Sequence, residues 1–218
     1  MSSFVLKIIA VITMLIDHSG YLIFNGFSFM NYIGRLAFPI FAFLITEGYI
    51  HTNNLKKYFS RLIVFAIISQ IPYMLLFSSA ELSLNILFTL ALGLFSLIIY
   101  DKTKNKYLGF IFVILCSVLA HFLHFDYGWF GIAIIFIFYI FKNKKLCMNM
   151  LFSFTTFINY IYYFLKTSRP EYFLVFFFCT LSLIPINLYN GKKGKNLKYF
   201  LYIFYPLHLI VLYLIKLI

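Results

Sequence analysis

Long runs of apolar residues, separated by short polar stretches, recur along nearly the whole chain. Most of the runs are 16 to 21 residues long, the length that an α-helix needs to cross the hydrocarbon core of a bilayer. The shortest run, 126–141, is also compatible with a re-entrant element. The pattern predicts nine transmembrane helices, at residues 4–24, 34–50, 59–77, 83–100, 107–123, 126–141, 146–164, 171–189 and 197–217.

No repeat period and no water-soluble segment interrupts this pattern. We therefore predict an all-α integral membrane protein, a single polytopic bundle of about nine transmembrane helices that forms one domain over residues 1–218. The composition supports this class, since 63% of the residues are apolar and only 11% are charged, too few to cover a soluble domain. The lipid bilayer is thus an expected partner.

The net charge of +12 would suggest nucleic-acid binding in a soluble protein, but here the basic residues stand in short clusters between apolar runs. We predict no nucleic-acid partner. The loops after predicted helices 2, 4, 6 and 8 contain thirteen Lys and Arg residues, whereas the other four loops contain two, Lys166 and Arg169. The positive-inside rule then places the protein in the cytoplasmic membrane with its N-terminus inside. The thirteen are Lys56, Lys57, Arg61, Lys102, Lys104, Lys106, Lys142, Lys144, Lys145, Lys192, Lys193, Lys195 and Lys198.

Ionisable residues inside the first predicted helix indicate a polar site. Lys7 and His18 are eleven residues apart, so they share one helix face and are separated by roughly 16 Å along the axis. Asp17 is turned about 80° away from His18 and needs a partner of its own, for which Arg35 is the best candidate by depth. Glu47 is expected to support the site or to pair with Lys7 or Arg61. Buried charges at such depth usually face the interior of a bundle.

Four segments in order resemble the TraX family, which is named for the conjugation protein that acetylates the N-terminus of F-type pilin. They are "LKIIAVITMLIDH", "GRLAFPIFAFLITEGYIHTNNLKKYFSRLIVFAIISQIPY", "NILFTLALGL" and "YNGKKGKNLKYFLYIFYPLHLIVLYL". The resemblance extends from Lys7 to about Leu214 and is patchy between roughly 100 and 170. The Lys7–His18 spacing also resembles the Arg/Lys–ten residues–His signature of the broader membrane acyltransferases that acylate surface glycans, and more loosely the lysosomal heparan glucosaminide acetyltransferases.

The resemblance implies that acetyl-CoA is the cosubstrate. By that analogy Lys7 contacts the phosphate region of CoA and His18 acts at the acyl group, either as a general base or as a transiently acylated relay. Asp17 would shape the field or orient the site, or be structural. If CoA is the donor, the cytoplasmic loop 189–199 is the best site for its nucleotide phosphates, because Lys192, Lys193, Lys195 and Lys198 supply charge beside two glycines.

Two further residues are assigned supporting roles. Asn190 belongs to the same loop. His208 lies eleven residues into the last predicted helix, at about the depth of His18, and is either a second polar wall of the site or a packing histidine bonded to a neighbouring helix. His121, His124 and Asp126 have mixed ligand types in a turn, and we predict no metal site there.

The predicted function is an integral-membrane acetyltransferase that moves an acetyl group from cytoplasmic acetyl-CoA to an amine or hydroxyl. The acceptor would be an exported or membrane-associated pilin-like peptide or surface glycan. Two alternatives stay open. One is a small proton-coupled secondary transporter, against which we note no inverted repeat and no paired broken helices. The other is a non-enzymatic membrane assembly factor whose buried polar residues only hold helices together.

Overall fold

The computed structural model describes residues 1–24, 28–77, 83–195 and 197–217, and nearly all of them are helical. In these residues the one β-type pairing is an isolated bridge between Leu84 and Phe125. The all-α prediction is confirmed. Eleven helices occur in the described residues: α1 (Ser3–Phe24), α2 (Phe29–Gly34), α3 (Ala37–His51), α4 (Leu55–Phe77), α5 (Ile86–Lys102), α6 (Lys106–Phe122), α7 (Gly128–Ile140), α8 (Lys145–Thr167), α9 (Glu171–Leu181), α10 (Leu183–Asn187) and α11 (Lys198–Lys216).

Two of the nine predicted helices are interrupted. The run predicted at 34–50 begins earlier and divides into α2 and α3, because Arg35 and Leu36 turn tightly with N–H bonds to the carbonyls three residues back. The run predicted at 171–189 divides into α9 and α10 at Ser182, and Pro185 offers no N–H to a carbonyl one turn earlier. Both runs therefore hold the helices that the sequence predicted, each with a break that the sequence analysis did not predict.

Within the part of the chain that the structure describes, four helices are long and apolar enough to cross a membrane: Ser3–Phe24, Phe29–His51, Leu55–Phe77 and Tyr199–Lys216. Three shorter apolar helices, Lys106–Phe122, Gly128–Ile140 and Glu171–Asn187, accompany them. Length and composition thus support a membrane-type helical protein. The depth and direction in which the helices cross a bilayer stay predictions.

Helix α4 begins four residues earlier than the sequence predicted. The Asn54 side chain accepts a hydrogen bond from the Lys57 amide at 2.8 Å, which satisfies one of the donors that a helix start leaves unpaired. Lys56, Lys57 and Arg61 therefore lie in the first two turns of α4 and not in a loop. This correction leaves the orientation argument intact, since basic residues next to the ends of a span count toward it.

The described helices form two compact units. The first unit comprises Met1–Leu44 and Phe141–Leu201, and in it α1 packs on α2, α2 on α9, and α8 on α9. The second unit comprises Ile45–Ile140 and Tyr202–Ile218, and in it α5 packs on α4, α6 and α7. The leucines of α5 are buried around much of the helix, which makes α5 the centre of the second unit. A single domain over residues 1–218 stays a prediction.

Candidate functional site

Helix α1 carries a stripe from Lys7 to His18 that faces protein. Both residues are half-buried, and Val11 and Met14, which lie between them on the same side, are buried. Ile12, on the opposite side of the helix, is half exposed. The shared face that the eleven-residue spacing predicts is therefore buried along its middle turns.

Asp17 pairs with Arg35, as the sequence predicted. The Arg35 guanidinium donates through Nη2 to Asp17 Oδ1 at 2.9 Å and to Oδ2 at 3.2 Å. The two side chains are only 13% and 17% exposed, so water screens the pair less than it would at the surface. The ion pair connects α1 to the junction between α2 and α3. Asp17, its member on α1, directly precedes His18 in the sequence.

Asn31 completes this network, and the sequence analysis missed it. Its side-chain amide donates to the Asp17 carbonyl at 2.8 Å and to Asp17 Oδ1 at 3.0 Å. The side-chain oxygen Oδ1 of Asn31 accepts a hydrogen bond from the Ser28 main-chain amide. The main-chain oxygen of Asn31 accepts from Arg35 Nε at 3.1 Å. Asn31 is completely buried. Its position four residues before Arg35 was an available signal, but the predicted helix began only at residue 34, which left Asn31 in a loop.

Two glycines allow α1 and α2 to approach this closely. A Cβ atom at Gly34 would overlap the Cβ and Cγ of Asp17. A Cβ at Gly20 would lie 2.8 Å from both Met30 Cβ and Ser28 Oγ, also too close. Small residues at helix contacts are common in membrane proteins because they bring backbones and short polar side chains together.

The lysine-rich loop is attached by its backbone to the start of α1. The Ser3 amide donates to the Lys192 carbonyl at 2.8 Å, the Phe4 amide donates to the Lys193 carbonyl at 3.2 Å, and Ser3 Oγ donates to the same Lys193 oxygen. The first amides of an α-helix have no hydrogen-bond acceptor within the helix, and the Ser3 and Phe4 amides are two of them. The loop carbonyls thus act as the cap of α1 and hold the lysines at the end of the helix that carries Lys7.

Gly194 and Asn190 shape this attachment. Gly194 has φ +67°, and a Cβ there would approach Phe4 Cβ and Ser2 Oγ to 2.8 Å, so both conformation and space require glycine. The main-chain amide of Asn190 donates a hydrogen bond to the Met1 carbonyl at 2.9 Å. Its side-chain Oδ1 accepts from the Lys192 main-chain amide at 3.1 Å. Asn190 is thus a structural residue of the loop turn, and its supporting role in the site stays a prediction.

The side chains of Lys192, Lys193 and Lys195 are exposed. Lys193 lies close enough to Lys7 for their positive charges to repel each other. Lys198 begins α11, and its side chain lies outside the described part of the structure. One end of α1 thus concentrates positive charge, which an anionic ligand would relieve.

The comparisons with known proteins identify the family. The family model described as "TraX protein" matches residues 2–216. This chain belongs to the TraX family. It is 30% identical over 236 aligned positions to the probable fimbrial assembly protein FimC, serogroup H1, of Dichelobacter nodosus, covering 97% of this chain and 94% of that protein. It is 34% identical over 144 positions to the uncharacterized protein RP591 of Rickettsia prowazekii (strain Madrid E), covering 64% and 56% of the two chains. No solved structure matches.

Other predicted site residues of this TraX-family chain belong to the second unit. The Glu47 carboxylate lies 3.5 Å from His51 Nε2, one turn away on α3, and this is a pairing that the sequence analysis did not consider. His208 is buried, its Nδ1 lies 2.9 Å from the Phe204 carbonyl, and its ring stacks on the Phe204 ring at 4.9 Å. These contacts lie within α11, so both interpretations of His208, the second polar wall and the packing histidine bonded to a neighbouring helix, stay predictions.

A second network of the TraX-family chain was also missed. The Tyr49 hydroxyl donates to Asp101 Oδ2 at 2.6 Å, and the Tyr139 hydroxyl donates to the same oxygen. The three residues come from α3, α7 and α5, so only the folded chain brings them together. His121 and His124 are exposed, and no group of three or more His, Cys, Asp or Glu side chains placed to hold a metal ion occurs among the residues that the structure describes.

Proposed function

We propose that this protein is an integral-membrane acetyltransferase that uses cytoplasmic acetyl-CoA. The acceptor would be an amine or hydroxyl of an exported or membrane-associated molecule. The observation that carries the proposal is the stripe on α1: Lys7 at the end where the lysine-rich loop converges, buried side chains between, and His18 next to the Asp17–Arg35 pair. Membership of the TraX family supports the same chemistry.

In this proposal CoA binds with its phosphates at the start of α1. Lys7 and the loop lysines Lys192, Lys193 and Lys195 supply the positive charge, with Lys198 as a further donor at the start of α11. The pantetheine arm would extend along the α1 stripe toward His18. Eleven residues of helix span roughly 16 Å, which is comparable to the length of that arm.

His18 would act on the thioester. As a general base it accepts the proton of the attacking amine or hydroxyl, whose nitrogen or oxygen bonds to the acetyl carbonyl carbon while the C–S bond breaks and the CoA thiolate leaves. As a nucleophile its ring nitrogen bonds to the acetyl carbon while the C–S bond breaks and the CoA thiolate leaves. In a second step the acceptor nitrogen or oxygen bonds to that carbon and gives up its proton, and the imidazole is released. Asp17 would orient this part of α1, because its carboxylate already accepts three hydrogen bonds from Arg35 and Asn31.

The acceptor follows from the relatives only in outline. A relative that covers nearly the whole chain is named a fimbrial assembly protein, and we propose a pilin-like peptide amine as the first acceptor to test. A hydroxyl of a surface glycan is the second.

The test separates donor binding from chemistry. Purified protein in detergent should bind CoA, and neutralising Lys7 or the three loop lysines to Gln should weaken binding about tenfold or more, since several charge-assisted contacts are lost. Lys166→Gln together with Arg169→Gln removes exposed positive charge elsewhere in the first unit and should leave CoA affinity unchanged. CoA affinity that is absent, or equally reduced by the control, would refute the donor assignment.

His18→Ala tests the chemical step. We expect this variant to bind CoA normally and to produce no acetylated envelope molecule, measured by mass spectrometry of cells with wild-type protein, variant or neither. Incubation with acetyl-CoA alone, followed by intact-mass measurement, distinguishes the two mechanisms, because only the relay adds an acetyl group that depends on His18. Full product formation by His18→Ala would refute the role of His18 in the chemical step. Equal product in cells with and without the protein would favour an assembly factor without enzymatic activity.

One observation favours the transporter as a second candidate. Interrupted helices such as α2–α3 and α9–α10 commonly line substrate sites in secondary transporters. Proton- or substrate-driven flux in liposomes, in a protein without CoA affinity, would establish that function in place of acetyl transfer.

The proposed orientation has its own test. Cys147 is exposed near the start of α8, at a predicted cytoplasmic end, whereas Cys116 and Cys179 are buried. A membrane-impermeant maleimide should label Cys147 in inside-out vesicles and not in intact cells. A Ser168→Cys variant in a Cys147→Ser background should give the reverse pattern, because Ser168 is exposed at the other end of α8.

A further inference from the structure

Arg61, in the second turn of α4, has an unsatisfied buried donor. Its Nε atom is inaccessible to solvent and has no hydrogen-bond partner among the residues described. Among the described residues the side-chain ion pairs are Asp17–Arg35 and Glu47–His51, so no carboxylate of those residues pairs with Arg61. A partly buried cation with an unpaired donor costs free energy unless a ligand completes it.

Two tyrosine rings hold the Arg61 guanidinium. Its central carbon lies 6.0 Å from the centre of the Tyr58 ring and 5.9 Å from that of Tyr202. Tyr58 is fixed in turn by Gly48, where a Cβ would come within 2.5 Å of the Tyr58 hydroxyl. All of these residues belong to the second unit. The arrangement pre-orients a planar cation at low entropic cost.

The surroundings of Arg61 suit a phosphate group. A guanidinium presents parallel N–H donors that match two phosphate oxygens. Lys57 precedes Arg61 by one helical turn and so lies on the same face of α4, exposed, where it adds a second positive charge. Arg61 as a whole residue is only partly buried, and its Nε is the donor that still lacks a partner.

We propose that Arg61, held between Tyr58 and Tyr202 and assisted by Lys57, binds a phosphate group. The phosphate comes from the headgroup of an anionic phospholipid or from a phosphorylated soluble molecule. The site is carried by residues of the second unit alone and does not depend on the proposed acetyl transfer. It lies near the end of α4 that is predicted to face the cytoplasm.

The test compares phosphate sources on the full-length protein in detergent. The probes are phosphatidylglycerol, diacylglycerol as a phosphate-free lipid, CoA and inorganic phosphate, with binding measured by native mass spectrometry and by thermal unfolding followed through the single tryptophan, Trp129. Arg61→Gln should weaken at least one phosphate-bearing probe about tenfold and leave diacylglycerol unchanged, since it removes a charged donor. Arg61→Lys should weaken binding of the same probe about threefold, because lysine keeps the positive charge and lacks the parallel N–H donors of the guanidinium.

The matched control is Arg169→Gln, an exposed arginine in the first unit. Loss of phosphatidylglycerol binding alone assigns the site to a lipid headgroup, and loss of CoA or phosphate binding alone assigns it to a soluble ligand. Unchanged affinities in Arg61→Gln, or an equal loss in Arg169→Gln, would overturn the proposal. If Arg61→Gln does not fold, Arg61→Lys decides by the same criterion. CoA binding that survives Arg61→Gln but fails on loss of the loop lysines leaves the acetyltransferase proposal standing.

Discussion

The Asp17–Arg35 ion pair gives the most direct quantitative prediction. We consider Asp17→Asn, Arg35→Gln and the double variant, which keep side-chain volume approximately constant while removing charge. In the structure one guanidinium nitrogen contacts both carboxylate oxygens, at 2.9 and 3.2 Å, and both side chains are largely buried. The cycle of four proteins isolates the energy of this pair from the other effects of each substitution.

The expected size follows from burial. Exposed ion pairs contribute about 0.2–1 kcal/mol, whereas removing one partner of a buried pair costs about 3–5 kcal/mol. Because less than a fifth of either side chain is exposed, we expect each single substitution to cost about 3 kcal/mol and the coupling energy to be about 2 kcal/mol. For a chain of this size about 2 kcal/mol corresponds to roughly 4–8 °C in Tm.

Thermal unfolding of the four proteins in one detergent measures the coupling. The chain provides a matched control in Glu47 and His51, one turn apart at 3.5 Å, with His51 65% exposed. A double-mutant cycle with Glu47→Gln and His51→Gln should give a coupling energy of at most about 0.5 kcal/mol. If the Asp17–Arg35 substitutions are additive to within about 0.5 kcal/mol, the pair does not hold α1 to α2 and the reasoning from burial is wrong.

Three further substitutions test individual contacts. Gly34→Ala should destabilise the protein by about 1–3 kcal/mol in thermal unfolding, because its Cβ overlaps Asp17, and a neutral or stabilising result would contradict the close helix contact. Gly194→Ala should cost about 1–2 kcal/mol and speed hydrogen exchange of the first amides of α1, whereas unchanged exchange would mean that the loop does not cap the helix. Tyr139→Phe should cost about 1.5–3 kcal/mol by removing a hydrogen bond to the Asp101 carboxylate, and a change under about 0.5 kcal/mol would argue against that bond.

Much of the helix pattern is readable in the sequence. Apolar runs of spanning length specify where helices form, because the main chain satisfies its own hydrogen bonds in a helix and apolar side chains cover it. The nine predicted runs correspond to the described helices once α2–α3 and α9–α10 are each counted as one run. The interruptions were missed because they depend on local turns at Arg35 and Ser182, which a window of hydropathy averages away.

The candidate site divides in the same way. The spacing of Lys7 and His18 and the depth of Asp17 and Arg35 are properties of a regular helix, so the sequence contained them. Asn31 was missed because the predicted helix began only at residue 34. The attachment of the lysine-rich loop to α1 was not predictable, because it depends on the path of the chain between helices.

The amino-acid order alone determined the helical class, the charged residues on α1 and the membership of the TraX family. Only the tertiary structure decided which polar groups meet: Asn31 at Asp17, the loop carbonyls at the start of α1, two tyrosines at Asp101 and Tyr202 at Arg61. The physical reason is range. Helix formation depends on neighbours a few residues apart, whereas these contacts join residues that are distant in the sequence and become adjacent only when the helices pack.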